Sequence, residues 1–398
     1  MNNFYASVEL MLHPELRGKP LAVCGDEEER HGIVLAKNYL AAESGIKTGE
    51  TVWSAKKKCS ELVTVKPHFE EYMRFSELAR DIYRRYTDKV EPFGLDECWL
   101  DVSNSAKNTE DGVAIAERIR NRIKAELGVT ISVGVSFNKV FAKLGSDIKK
   151  PDAVTVIPKN GFISIIGELP ASSLLGVGGK TEKILKTYCI DTISELADFS
   201  KNMLIKLLGK SGEMLWNYAN GLDFSPVVAR NIDALDKSVG NGVTARYDLE
   251  TADDVWCLML ELSQELGHRL SVFEKKATSV AIQIKDNEMN VKQWQCALDT
   301  GTQSAYCIAK KAFELFSINY KWVRPVRAVS VRAINLISVN APVQIDMFSG
   351  DNEMYETKDI SKVIENIRSR FGSDSIKNAV VPQKAFKNQS ASLWRMVK

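Results

Sequence analysis

No hydrophobic run in this chain approaches the roughly 20 residues that a membrane-spanning helix needs. The opening residues do not read as a signal peptide either. No two of the seven cysteines (Cys24, Cys59, Cys98, Cys189, Cys257, Cys296 and Cys307) form a C-x-x-C pair. Histidine is scarce, and His13, His31, His68 and His268 are scattered. That spacing argues against a zinc site, and unpaired thiols fit a reducing, cytoplasmic setting. An excess of one charge is missing as well: 53 basic and 51 acidic residues leave a net charge of +2. Attraction to a nucleic acid must therefore come from local patches. What is present, 44% hydrophobic and 26% charged residues, describes an ordinary globular protein. At 398 residues the chain is too long for one core and suggests two to four domains.

The chemistry centres on residues 93–101, Phe-Gly-Leu-Asp-Glu-Cys-Trp-Leu-Asp. On a regular strand the adjacent acids Asp96 and Glu97 would point to opposite faces. They can share a target only where the strand bends, and Gly94 permits a bend. Carboxylates at a hairpin tip backed by a sheet can cradle Mg²⁺. A solvated hairpin tip is the competing reading.

Around this stretch the pattern predicts a first helix over 1–12, capped by Asn2 or Asn3 and closed by His13-Pro14. Residues 12–67 form a small module, with strands at 20–25 and 32–36, a charged turn at 26–30, a helix at 37–45 and another from 54. A long helix over 70–88, the strand pair around Asp96, a helix over 110–127 stopped by Gly128, a strand at 129–136, a helix over 138–148 and a strand at 153–157 follow. Alternation of this kind predicts an α+β unit, with helices on one face of one sheet that is short of a strand.

Residues 158–230 become all helical. A glycine turn at 176–179, with Gly176, Gly178 and then Lys180, resembles a helix-hairpin-helix whose amides face a DNA phosphate. A purely structural turn is the alternative. Residues 231–242 are polar and glycine-bearing, which suits a linker. A second α+β domain follows, with helices at 251–272 and 303–316 and strands near 277–285, 291–297 and 325–336. Its basic stretch (Lys310, Lys311, Lys321, Arg324, Arg327, Arg332), interleaved with Tyr320 and Trp322, is either a DNA-backbone surface or a solvated face. In the tail, Gln344, Ile345, Met347 and Phe348 form a peptide with apolar anchors for a partner's groove, or an exposed linker.

Four motifs in order now carry a resemblance: Phe4-Tyr5-Ala6-Ser7-Val8-Glu9; Leu95-Asp96-Glu97; Asn138-Lys-Val-Phe-Ala-Lys143 with Lys149-Lys150-Pro151; and the glycine turn at 176–179. The chain resembles the Y-family of translesion DNA polymerases, nearest the bacterial DNA polymerase IV group, from its first residue to about residue 375. The resemblance implies a multidomain α+β right hand. The ferredoxin-like palm would be 1–11 and 68–157, the small fingers 12–67, the helical thumb with its helix-hairpin-helix 158–230, a linker 231–240, the α+β little finger 241–340 and a clamp-binding tail 341–398. It implies that Asp96, Glu97 and the Met1 backbone carbonyl hold two Mg²⁺ ions. Asn3, Phe4, Tyr5 (the steric gate against ribose), Ala36, Lys37, Tyr39 and Lys150 would bind the nucleotide. Gly176, Gly178, Lys180, Arg324, Arg327 and Arg332 would contact DNA. Implied partners are primer-template DNA, deoxynucleoside triphosphates and the bacterial sliding clamp, held at Gln344, Ile345, Met347 and Phe348. The resemblance also implies a cytoplasmic monomer without membrane contact.

Two departures from the family pattern stand out. Ala36 and Ala42 occupy positions where the family commonly has a threonine and an arginine on the triphosphate, and Lys37 could restore a charge next door. The family also places a metal-binding aspartate, at the end of the palm's first strand, immediately before the residue matching Met1. The expectation is that the true product starts upstream of Met1. As written, the alternative function is a clamp-tethered DNA-binding protein impaired in catalysis. A fingers module of only about 55 residues, with no segment left for proofreading, implies low fidelity and a lesion-bypass role in repair.

Overall fold

The structure is a computed structural model and describes residues 1–26, 32–229 and 238–342, with 363–364, 366–368, 370–372 and 375–376 of the tail. The Gln344–Phe348 peptide and most of the charged turn at 26–30 lie outside the described residues. Two compact units result, the first closing at Ile232 and the second built mainly from the chain beyond it.

Helix α1 (Phe4–Leu12) forms where its apolar spacing predicts, burying Phe4, Ala6 and Val8. Its cap differs from expectation. Asn3 adopts a left-handed φ of 45° and makes no side-chain cap bond, while the Asn2 side chain donates to Thr130 Oγ1 at 3.1 Å. The module that follows contains β1 (Leu21–Cys24), β2 (Val34–Lys37), α2 (Tyr39–Glu43), α3 (Val52–Lys58) and β3 (Val63–Val65). Its sheet has the order β2-β1-β3, with β3 parallel to β1. Asn38 fastens this module: its buried amide oxygen accepts from Leu21 N–H and Ala41 N–H, each at 3.0 Å. Capping by Asn38 shortens the expected 37–45 helix to five residues.

Helix α4 (Phe69–Arg84) leads to the hairpin of β4 (Val90–Pro92) and β5 (Cys98–Leu100). Helix α5 (Thr109–Leu127) is capped by Asn108 and stopped by Gly128 at φ 68°. Strand β6 (Val133–Ser136), helix α6 (Lys139–Ile148) and strand β7 (Val154–Ile157) complete this part, with β7 parallel to β6. The expected single sheet is instead two separate pairs, β4-β5 and β6-β7, among the described residues. The strand expected over 129–136 begins only at Val133. Ahead of it, Val129 and Ile131 are buried, and Thr130 C=O accepts the Asn2 N–H at 2.9 Å. A cavity of about 370 Å³ is lined by residues 96–103 of one pair and 131–139 of the other.

The helical region comprises α7 (Phe162–Ile166), α8 (Gly179–Thr187), α9 (Ile193–Asp198), α10 (Lys201–Leu208) and α11 (Lys210–Ala219). Its Leu185, Ile190, Leu196, Leu204 and Leu215 share one core with Val140, Phe141 and Leu144 of α6. The second unit contains β8 (Ser238–Leu249), α12 (Ala252–Val272), β9 (Lys275–Asp286), β10 (Val291–Thr302), α13 (Ala305–Asn319) and β11 (Val326–Ser338). Its antiparallel sheet has the order β10-β9-β11-β8. Leu258, Leu262, Leu266 and Phe316 from the two helices pack on Val280, Ile282, Val329 and Val331 of one sheet face. The expected linker at 231–240 and the glycine-bearing stretch after it must therefore be corrected, because Ser238 onward is strand. A Cβ at Gly242 would stand 2.1 Å from Ser330 Oγ, so this glycine admits a close strand pairing rather than flexibility.

Asp101 ties down the base of the β4-β5 hairpin. Its Oδ2 takes Lys89 Nζ at 2.9 Å and its Oδ1 the Ser103 N–H at 2.9 Å. Bonds from Ser103 and Lys89 hold the Asp101 carboxyl down to about 2. A depressed folded-state pKa contributes stability above the ordinary carboxylate range, and that contribution is lost as pH falls through about 2. Asp101→Asn is expected to cost about 1 kcal/mol at neutral pH after solvent screening. Urea unfolding at a series of pH values should show the gap to wild type narrowing as acidity passes from about pH 4 downward.

Candidate active site

Residues 93–97 leave the ladder and form the bend that adjacent carboxylates require. Gly94 sits at φ 81°, and Phe93 N–H closes the turn on Glu97 C=O at 2.8 Å. Three outside groups pin the turn. Arg80 donates to Gly94 C=O at 3.1 Å, the Ser76 hydroxyl donates to Leu95 C=O, and the Met1 α-ammonium donates to Asp96 C=O at 2.6 Å. Asp96 and Glu97 thus both line the cavity, together with Met1, Lys143 and Lys150.

Each carboxylate faces an ammonium. The Met1 nitrogen lies 3.9 Å from Asp96 Oδ2, and burial lowers its pKa against the pull of Asp96 and Glu97. Lys143 Nζ lies 3.1 Å from Glu97 and 2.6 Å from Asp147. Burial opposes the Lys143 charge, but Asp147 and Glu97 outweigh it and hold the pKa above the ordinary lysine value. Lys150 pairs with the same Asp147 at 2.7 Å. Lys143 closes the Asn138–Lys143 motif, but its partner Glu97 is distant in the chain, and only the i,i+4 spacing to Asp147 is visible locally.

Tyr5 stacks on Tyr72 at 4.2 Å with an interplanar angle of 11° and meets Phe69 edge-on. Burial and then the charge of Asp96 raise its pKa, which puts the phenol within electrostatic reach of the acidic turn. Phe4 is buried in the adjoining core, in keeping with a packing role. Ala36 and Lys37 on β2 and Tyr39 at the start of α2 do not line the cavity. Lys37 Nζ approaches Thr48 Oγ1 at 3.4 Å, and Tyr39 is 40% exposed.

The positions expected to meet DNA are scattered. Gly176 has φ 94°, Gly178 precedes α8, and Cβ atoms at Gly178 or Gly179 would meet nothing within 4 Å. The start of α8, with exposed Lys180, is therefore open to approach. In the second unit the basic stretch does not make one surface. Arg324 is engaged by Glu288 at 2.7 Å and Asp286 at 3.7 Å, and Lys311 by Glu314 at 3.5 Å. Arg327 sits at a strand irregularity beside Val326, whereas Arg332 is exposed on β11. Tyr320 and Trp322 serve packing, stacking on or meeting Phe316 at 5.1 and 5.6 Å.

As a donor set, Asp96 and Glu97 balance the charge of one divalent cation, and their oxygens are hard ligands. Similarity to known proteins agrees with this geometry. A model described as the impB/mucB/samB family matches residues 1–147, and one for the C-terminal domain of that family matches residues 236–347. The chain is 49% identical to the DNA polymerase IV of Acetivibrio thermocellus over 383 residues, 96% of each chain. It is 34% identical to DNA polymerase IV 1 of Bacillus subtilis over 385 residues, 96% of this chain and 92% of that one. Among solved structures, a Y-family DNA polymerase chimera covers 84% of this chain and 97% of its own, with a TM-score of 0.75 at 24% identity. That likeness bears on fold and matches the right hand of palm, fingers, thumb and little finger. The chain belongs to the Y-family of DNA polymerases, the impB/mucB/samB family.

Proposed function

We propose that the chain is a template-directed DNA polymerase of the lesion-bypass type, using Mg²⁺ at low fidelity. The observation that carries this reading is the meeting of Asp96, Glu97, Lys143 and Lys150 at one cavity, with Tyr5 in electrostatic reach. Relatives named DNA polymerase IV along nearly the whole chain support it.

On this reading Asp96 and Glu97, with the Met1 carbonyl, would hold the cations. When bound, Mg²⁺ acidifies a primer hydroxyl and neutralises phosphate charge during in-line displacement. Lys150 and Tyr39 hold the triphosphate by an ammonium and a hydroxyl, Asn3 and Phe4 offer backbone contacts, and Lys37 adds charge where Ala36 and Ala42 offer none. Lys143 offsets the Glu97 charge and keeps the acids side by side. The Tyr5 ring, fixed by Tyr72 and Phe69, stands where a ribose 2′-hydroxyl would collide. The glycine turn with Lys180, together with Arg332, meets the DNA backbone, and Gln344–Phe348 docks on a sliding clamp. Regions 1–11 with 68–157, 12–67, 158–230 and 241–340 serve as palm, fingers, thumb and little finger, in a monomer acting in the cytoplasm.

Two carboxylates are few for two cations. Primer extension tests whether a third is needed. An extended segment ending in aspartate, placed directly before Met1, would fill the cavity and add a third carboxylate. It is expected to raise extension by about 100-fold or more, and Asp96→Asn in that background should abolish it. Equal rates with and without the segment would overturn the three-carboxylate account. Tyr5→Ala is expected to raise ribonucleotide use relative to deoxyribonucleotide use about 100-fold, read by single-nucleotide incorporation. Gln344→Ala with Phe348→Ala should remove stimulation by the sliding clamp while leaving clamp-free extension unchanged.

A further inference from the structure

Helix α1 ends at His13, where the chain enters the 12–67 module, and His68 precedes α4, where it returns. The spacing of the histidines argued against a metal site, yet the fold collects two of them around a buried acid. One ligand atom each from Glu9, His13 and His68 lies within 4.8 Å of the others. Glu9 is fully buried, and both of its carboxylate oxygens stand 3.0 Å from His68 Nδ1. The two rings are 6.1 Å apart between centroids and about half exposed, which leaves a path for an ion to enter.

Outer partners are already in place. The Tyr72 hydroxyl donates to Glu9 Oε1, and the Glu15 carboxylate lies 3.3 Å from His13 Nδ1. Contacts of this kind orient ligating carboxylates and imidazoles. Ligands around a tetrahedral ion sit about 3.3 Å apart, and the exposed rings have room to close the difference.

The geometry points to a binding site for a borderline divalent cation of the Zn²⁺ class, held by Glu9, His13 and His68 with water in the fourth position. Two imidazoles and one carboxylate suit Zn²⁺, Co²⁺ or Ni²⁺, whereas Mg²⁺ asks for an oxygen shell. The bound ion joins the two chain crossings at the base of the 12–67 module, tying α1 to α4. This site does not depend on the polymerase reading.

The test is equilibrium titration of the full chain with Zn²⁺ against a chromophoric chelator, in buffer with excess Mg²⁺. One site is expected, and Co²⁺ in its place should give the intense visible bands of a tetrahedral complex. His13→Asn with His68→Asn should weaken binding about 100-fold and abolish the rise in Tm that Zn²⁺ gives the wild type. His13→Gln alone, a change at a half-exposed ring, should weaken it about 10-fold or more. Asp96→Asn with Glu97→Gln should leave Zn²⁺ affinity unchanged. The inference is overturned if no site appears, if the histidine variants bind like wild type, or if the Asp96 and Glu97 changes remove the binding.

Discussion

Two like charges on adjacent residues repel by a few kcal/mol at the dielectric of a protein surface, and a site that needs both must hold them together. Asp96 and Glu97 are held in two ways. Their backbone is pinned from α4 by Arg80 and Ser76 and from the chain start by Met1. The Glu97 side chain is offset by the Lys143 ammonium group. A cation entering the cavity would compete with that ammonium for the carboxylate. The turn is thus arranged before any ligand arrives, with Lys143 standing where positive charge is required.

The counter-charge comes from α6, and α6 is fixed from three directions. Asn138 caps its first turn, accepting the Phe141 N–H at 2.8 Å. Trp99 of β5 donates to Lys139 C=O at 2.9 Å, while Lys139 Nζ bonds Glu91 at 2.6 Å and lies over the Trp99 ring. On its other side Phe141 and Leu144 enter the core of the helical region. One helix therefore sets the Lys143 partner of Glu97, braces the acidic hairpin and anchors 158–230. Displacing α6 would disturb the charge balance and the helical core together, so the position of the acids is linked to that of the helical region.

Much of this was legible locally. Helix α5 announced itself by a 3.6-residue period that stops at Gly128, and the bend at Gly94 by two acids that a straight strand would separate. What required tertiary pairing was not. Gly240 and Gly242 look like linker residues because nothing local shows that Arg332 and Ser330 lie opposite them. One sheet was expected where two pairs occur, since strand adjacency is set by partners distant in sequence. Tyr320 and Trp322 alternate with basic residues as a stacking platform would, yet Phe316 claims both rings. His13 and His68 look unrelated until α1 and α4 bring them to one buried carboxylate.

The sheet of the second unit gives a reason why a nearly neutral chain can suit loose, sequence-tolerant DNA contact. With Val280, Ile282, Val329 and Val331 turned to the helices, the opposite face carries rows set by the strand register. One row is Gln293, Gln283, Ser330 and Gly242, and the next is Gln295, Ala281, Arg332 and Gly240. Small and neutral polar side chains let a backbone come close, and amides can bond phosphate or sugar oxygens without reading bases. Arg332, with Lys285 on the same face two rows away, gives that face its local positive charge for phosphate contact. On the proposed function, a grip of this kind can slide past an altered base, because it contacts phosphate and sugar and not base edges. On that proposal the low net charge is compatible with DNA work, because local cations such as Arg332, and not a field of the whole chain, would meet the phosphates.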